Sequence, residues 1–197
     1  MNFDKLQEIG EQELARQEQY ERRIFCCTST GCLSAGAGQV HATLEQAVAA
    51  CQCDEHEAEV VKTGCLGLCS AGPLVRVEQK EQDPVLYGNV SSEAAQYIVS
   101  KHVPMSEVRT QDEEEDIEES ITPHDIPHYR ASLRRIRSKT DFDRHIMPLD
   151  MPFFTKQEKV VLNETGKIDP DKLEDYLAYG GYKALAYVLD KMTPEEV

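Results

Sequence analysis

Ile24-Phe25-Cys26-Cys27-Thr28-Ser29-Thr30-Gly31-Cys32 is a short apolar run that breaks into a polar, glycine-ended turn. A second stretch of the same design is Glu59-Val60-Val61-Lys62-Thr63-Gly64-Cys65-Leu66-Gly67-Leu68-Cys69. β-Branched and aromatic residues in short runs that end at turn formers read as strands. Each cysteine pair therefore follows directly on a strand, with four residues between Cys27 and Cys32 and three between Cys65 and Cys69. Two loops leaving the same edge of a small sheet can present four thiolates to one site.

Working outward, Thr43 to Ala50 is Ala-rich with Leu44, Ala47 and Val48 on one side, which predicts an amphipathic helix with Thr43 as its N-cap. Pro73 to Glu78 alternates and predicts a third strand, and Val85-Leu86-Tyr87 a fourth after the Asp83-Pro84 turn. Ser92 to His102 predicts a closing helix with Ala95, Ile98 and Val99 inward. The order β-α-β-β-β-α describes a small α/β domain over residues 23–104. Ahead of it, residues 1–22 predict a helical arm, with Leu6, Ile9 and Leu14 at helical spacing. That arm either packs on a neighbour or stays solvated.

After Pro104 the texture changes. Asp112 to Glu119 holds seven acidic residues in eight, and Arg130 to Lys139 holds five basic ones. Such charge blocks bury little apolar area, so residues 105–150 are expected to be a linker. Structure is expected again over 151–197. A strand at Lys159-Val160-Val161-Leu162 precedes a turn at Gly166. Next comes a helix capped by Asp169 with Pro170 at its first position and Leu173, Tyr176 and Leu177 inward. Gly180-Gly181 ends that helix, and Tyr182 to Met192 forms another. Thr193-Pro194-Glu195-Glu196 has the cap, proline and early acids of one more helix start. From a start signal so near Val197, the chain is expected to be a piece of something longer.

The 197-residue chain carries a formal charge of −15, which argues against a nucleic-acid binder, because neutralising phosphates needs a basic face. No apolar run is long enough for a bilayer, and Met1-Asn2-Phe3-Asp4-Lys5 opens no signal-peptide core. The expected location is the cytoplasm. There, seven cysteines suggest metal or redox chemistry before disulfides.

A [2Fe–2S] cluster needs two terminal thiolates on each iron. Cys27, Cys32, Cys65 and Cys69 supply them in two pairs. Gly31, Gly64, Gly67 and Gly72 would let backbone N–H groups approach the sulfurs. The alternative is a zinc-stabilised docking module of a redox complex, although a structural zinc hairpin ordinarily uses C-x₂-C. Cys26 is expected in the core, and Cys51 and Cys53 as spare thiols. The six histidines are scattered without a metal-ligand spacing, and no catalytic residue is identified.

On Cys27-x₄-Cys32 and Cys65-x₃-Cys69, the chain resembles the thioredoxin-like [2Fe–2S] ferredoxins, a family that includes the small subunit of the respiratory complex I NADH module. Pro152-Phe153-Phe154-Thr155-Lys156-Gln157, Val160-Val161-Leu162, Gly166-Lys167-Ile168-Asp169-Pro170 and Gly180-Gly181-Tyr182-Lys183-Ala184-Leu185 resemble the opening of the NADH-binding flavoprotein subunit. The fused order is similar to the diaphorase flavoprotein subunit of NAD(P)-linked hydrogenases, with related fusions in NAD-dependent formate dehydrogenases. The resemblance implies a thioredoxin-like domain, a charged linker, and a short α+β or helical start of an FMN- and NADH-binding domain. It also implies other redox subunits as partners. FMN, NAD(P) and a [4Fe–4S] cluster belong to the parent enzyme, an NAD(P)H oxidoreductase. No G-x-G-x-x-G occurs before Val197, so this stretch is expected to act only as an electron carrier.

Overall fold

The computed structural model describes residues 3–51, 53–104, 142 and 144–197. Helix α1 (Phe3–Gln17) leads into strand β1 (Arg22–Cys27). A one-turn helix α2 (Thr30–Ser34) and the long α3 (Ala37–Ala50) then cross to β2 (Ala58–Thr63). A 3₁₀ turn (Cys69–Ala71), β3 (Val75–Gln79), β4 (Val85–Tyr87) and α4 (Ser92–His102) complete the first part. The second part contributes β5 (Ile146–Met147), α5 (Pro152–Thr155), α6 (Leu173–Ala178) and α7 (Lys183–Lys191).

The strands form one sheet in the order β2-β1-β3-β4-β5. β1 and β2 run parallel in the register Phe25↔Val61 and Cys27↔Thr63, and the remaining pairs are antiparallel. A parallel pair needs a crossover, and α2 and α3 supply it. Ile24 and Cys26 alternate with Phe25 along β1, so they point to opposite faces of the sheet. Val40, Leu44 and Ala47 of α3 join Ala94, Ala95, Ile98 and Val99 of α4 in the core that holds Ile24 and Cys26. On the other face, the Arg23 and Arg76 guanidiniums lie over the Phe25 ring at 4.9 and 5.1 Å.

The expected order β-α-β-β-β-α is present, and the expected inward residues of α4 are all buried. Several local expectations are corrected. The helix expected from Thr43 begins at Ala37, after Gly36 at φ 96°, so Thr43 lies mid-helix and its hydroxyl donates to the Gln39 carbonyl at 2.8 Å. The third strand runs from Val75 to Gln79. No strand forms at Lys159–Leu162, where Val160 and Val161 are 79 % and 92 % exposed in a turn. A strand not expected from the sequence, Ile146–Met147, pairs with β4 inside the stretch expected as linker. Phe142 is also buried in the core, tilted against Tyr97 at 4.1 Å between ring centroids. The acidic and basic blocks of that stretch lie outside the described residues.

Asp169 caps a turn and not a helix: its Oδ1 accepts from the Asp171 N–H at 3.0 Å, and α6 starts only at Leu173. Of its expected inward residues only Leu177 is buried, while Leu173 and Tyr176 are exposed and Asp175 is covered. Helix α1 packs on α6, closely enough that a Cβ on Gly10 would stand 2.7 Å from the Leu177 carbonyl oxygen. The arm is thus a packed helix. Near Val197 the Glu196 carboxylate accepts from the Thr193 N–H at 2.8 Å, one half of a capping box. Among the described residues no helix is long and apolar enough to cross a membrane.

Candidate metal centre

Cys27 is the last residue of β1, held between two neighbours: its N–H donates to the Leu74 carbonyl at 3.0 Å, and Thr28 donates to the Thr63 carbonyl at 2.9 Å. Cys32 follows within α2, and both side chains are fully buried. Cys65 follows β2 after Gly64 and is half-buried, whereas Cys69 opens the 3₁₀ turn and is exposed. Gly67 between them has φ +100°, a conformation that a side chain would strain.

The two loops meet face to face. A Cβ on Gly31, in the first loop, would lie 3.5 Å from the Cys69 Cβ and 3.7 Å from its sulfur. A Cβ on Gly72, in the second, would lie 3.0 Å from the Cys32 sulfur. Two of the four expected glycines therefore permit the approach of one cysteine loop to the other. Gly64 instead faces the Thr165 methyl, at 3.2 Å from where its Cβ would stand.

The Cys65 and Cys69 sulfurs are 3.6 Å apart. The Cys27 sulfur has the Ser29 hydroxyl at 3.3 Å. Burial raises the Cys27 pKa, but hydrogen bonds from the Ser29 side chain, the Leu66 and Ser29 backbones and the Cys32 thiol outweigh it and leave it below its usual value. Burial and the Cys27 sulfur push Cys32 up to about 12. Hydrogen bonding and charge from Cys65 raise Cys69.

This donor set suits a two-iron cluster: soft thiols in two pairs, with glycines where the loops converge. Among the described residues no group of three or more His, Cys, Asp or Glu side chains gathers as a metal site, the four cysteines included, which stand as two pairs on facing loops. Cys26, as expected, is in the core; burial holds it at about 12, and its thiol faces the Ala37 carbonyl at 3.8 Å. Cys51 is buried with its thiol on the Ala47 carbonyl at 3.2 Å, and Cys53 is half-buried. Sequence reasoning missed Ser29 beside Cys27 and Thr63 ahead of Cys65. A hydroxyl in a cysteine loop was the available signal for the first, and no local signal marks the second.

Residues 12–102 match the family model described as thioredoxin-like [2Fe-2S] ferredoxin. These residues form a thioredoxin-like [2Fe–2S] ferredoxin domain. Its cofactor is a [2Fe–2S] cluster, and the match begins within α1. A 2Fe-2S ferredoxin from Clostridium pasteurianum is 42 % identical over 52 residues, which are 26 % of this chain and 48 % of that protein. The chain therefore spans about half the length of this curated relative. The crystal structure of the wild-type thioredoxin-like [2Fe-2S] ferredoxin from Aquifex aeolicus is 26 % identical, covering 42 % of this chain and 85 % of that one, with a TM-score of 0.34. A second structure of a thioredoxin-like [2Fe-2S] ferredoxin from the same organism, also 26 % identical, covers 42 % and 80 % with a TM-score of 0.35.

Proposed function

We propose that Cys27, Cys32, Cys65 and Cys69 hold the [2Fe–2S] cluster and that the chain passes single electrons within a larger NAD(P)H-linked oxidoreductase. The observation that carries the ligand assignment is the approach of the two loops, with Gly31 of one against Cys69 of the other. When bound, the cluster takes up and returns one electron at a time. The chain's own residues do the rest. Hydrogen bonds lower the Cys27 pKa, so it gives up its proton more readily than a free thiol, and the thiolate is the form that binds metal. The Ser29 hydroxyl and the Leu66 backbone hydrogen-bond its sulfur, which offsets negative charge there and favours the reduced state. Cys27 and Cys32 exclude water on one side, while Cys69 opens the other side to a redox partner.

The finer assignment is to the diaphorase flavoprotein subunit of an NAD(P)-linked hydrogenase, in the cytoplasm. The motifs around Pro152, Gly166 and Gly180 support it. On that reading residues 1–22, 23–104, 105–150 and 151–197 are an arm, the cluster domain, a linker and the start of an FMN- and NADH-binding domain. The parent enzyme would bring FMN, NAD(P), a [4Fe–4S] cluster and other redox subunits.

The test is the visible and low-temperature EPR spectrum of anaerobically purified protein before and after dithionite, with iron and zinc assays. Bands that bleach, a spin-half signal on reduction, and the loss of both in Cys65→Ser are expected. A colourless protein with stoichiometric zinc would support a zinc-stabilised docking module instead.

A further inference from the structure

Thr63 is the last residue of β2, fully buried, and stands two residues before Cys65. Its backbone and its side chain bind different parts of the molecule. The carbonyl accepts from the N–H of Thr28 at 2.9 Å and from its hydroxyl at 3.2 Å, which ties it to the residue after Cys27. The hydroxyl reaches the other way, over about a hundred residues of chain. It accepts from the Gly166 N–H at 2.9 Å and donates to the Ile168 carbonyl at 3.2 Å. Both capacities of one hydroxyl are thereby spent on a single turn of the C-terminal segment.

That turn covers one flank of the second cysteine loop. The Thr165 methyl lies against Gly64, and a Cβ on Gly166 would stand 3.0 Å from the Leu66 side chain. The Arg76 guanidinium, itself over the Phe25 ring, donates to the Gly166 carbonyl from the sheet side. Gly166 has φ +91°, so the turn takes this shape without a side chain in the way. Residues 64 and 66, on either side of Cys65, are both in contact with it.

We infer that Thr63 is a positioning residue: its hydroxyl clasps the Gly64–Leu66 stretch to the turn at 165–168, so the C-terminal segment sets how far water reaches Cys65. The clasp itself is a matter of this chain's own packing. Its consequence for reduction potential rests on the cluster assignment proposed above. Water near the centre stabilises the more highly charged reduced state, so opening the clasp raises the potential.

The test uses the full chain as Thr63→Val, Thr63→Ser and Gly166→Ala, each checked for folding by circular dichroism. In apo-protein, iodoacetamide labelling of Cys65 is followed by mass spectrometry against exposed Cys69 as internal reference. In the cluster-loaded protein, the midpoint potential is titrated. Thr63→Val is expected to raise Cys65 labelling relative to Cys69 by about tenfold, the scale set by one lost buried hydrogen bond, and to raise the potential. Thr63→Ser keeps the hydroxyl and restores both. Gly166→Ala, which pushes the turn away from outside, moves both in the same direction and decides the matter should Thr63→Val not fold. Unchanged Cys65 labelling in both disruptive variants overturns the clasp. Faster labelling with an unmoved potential overturns its control of the centre. A protein that binds no iron refutes the cluster assignment, while the labelling still tests the clasp.

Discussion

The two cysteine pairs begin from the same design, a strand running into a glycine-bearing turn, and end in opposite surroundings. Cys27 and Cys32 are fully buried, whereas Cys65 is half-buried and Cys69 is exposed. The difference comes from strand position. β1 lies between β2 and β3, so the loop that leaves it is covered by neighbours, including the Leu74 carbonyl on the Cys27 N–H. β2 is an edge strand of the sheet, and its loop is covered by the first cysteine loop on one side and by the turn at 165–168 on another. On the proposed ligand assignment, one pair serves the core as well as the metal centre, and the other serves the centre alone.

The largest expected effect breaks that comparison directly. Cys27→Ser and Cys69→Ser should each bring bound iron down towards zero. Only Cys27→Ser should also destabilise the apo-protein, by about 1–3 kcal/mol, because it leaves a hydroxyl in a fully buried site. Cys69→Ser should leave apo-protein stability within about 0.5 kcal/mol. Urea unfolding of the two metal-free variants reads the contrast, and equal midpoints would erase it.

A second contrast sets the sheet against the joint between α1 and α6. Gly10→Ala places a Cβ 2.7 Å from the Leu177 carbonyl oxygen, and backbone cannot swing aside as a side chain can. The expected cost is about 1–3 kcal/mol, confined to the joint. Hydrogen exchange should accelerate in α1 and leave β1 and β3 protected. Uniform acceleration would mean that joint and sheet unfold as one unit.

A third prediction sharpens the core side of the comparison through pH. His102, at the end of α4, is held down to about 4, chiefly by burial, with Lys101 and Arg22 adding repulsion. Its Nε2 meets the Tyr87 hydroxyl at 2.6 Å. The unfolded chain protonates this histidine near pH 6.5 and the folded chain only near 4. Stability is therefore full above about pH 6.5 and declines as pH falls towards 4. Because the ring is only partly buried, the decline should be roughly 1–2 kcal/mol. Thermal unfolding from pH 7 to 4 should show a shallower slope in His102→Gln than in the parent, and identical slopes would refute it.

How far the sequence was legible follows the same division. β1, β2, β4 and α4 were readable because their apolar periodicity points into one shared core. The four cysteines were singled out because spacing and glycines coincide, and their role as ligands is the proposal made above. What failed was settled by contacts distant in sequence. Val160 and Val161 have the side chains of a strand but stand exposed, unpaired with any strand among the described residues. Asp169 looks like a helix cap, yet the Asp175 carboxylate takes its N–H at 2.7 Å and the helix begins later. Thr63 ends its strand as any threonine would, and nothing near it in sequence announces a partner at Gly166.

The smallest expected effect concerns the residue beside it. Lys62 and Thr63 both reach the C-terminal segment from β2. Lys62 does so from the exposed face, with its Nζ 3.9 Å from the Asp171 carboxylate and both side chains well solvated. Thr63 does so from inside. An exposed pair at that distance contributes about 0–0.5 kcal/mol and is screened by salt, whereas the buried hydroxyl leaves two backbone groups unpaired when removed. Lys62→Ala should therefore leave the unfolding midpoint and Cys65 labelling where they are, at low and at high salt alike. A salt-sensitive loss in Lys62→Ala would mean that surface charge, and not the buried hydroxyl, holds the segment against the cysteine loop.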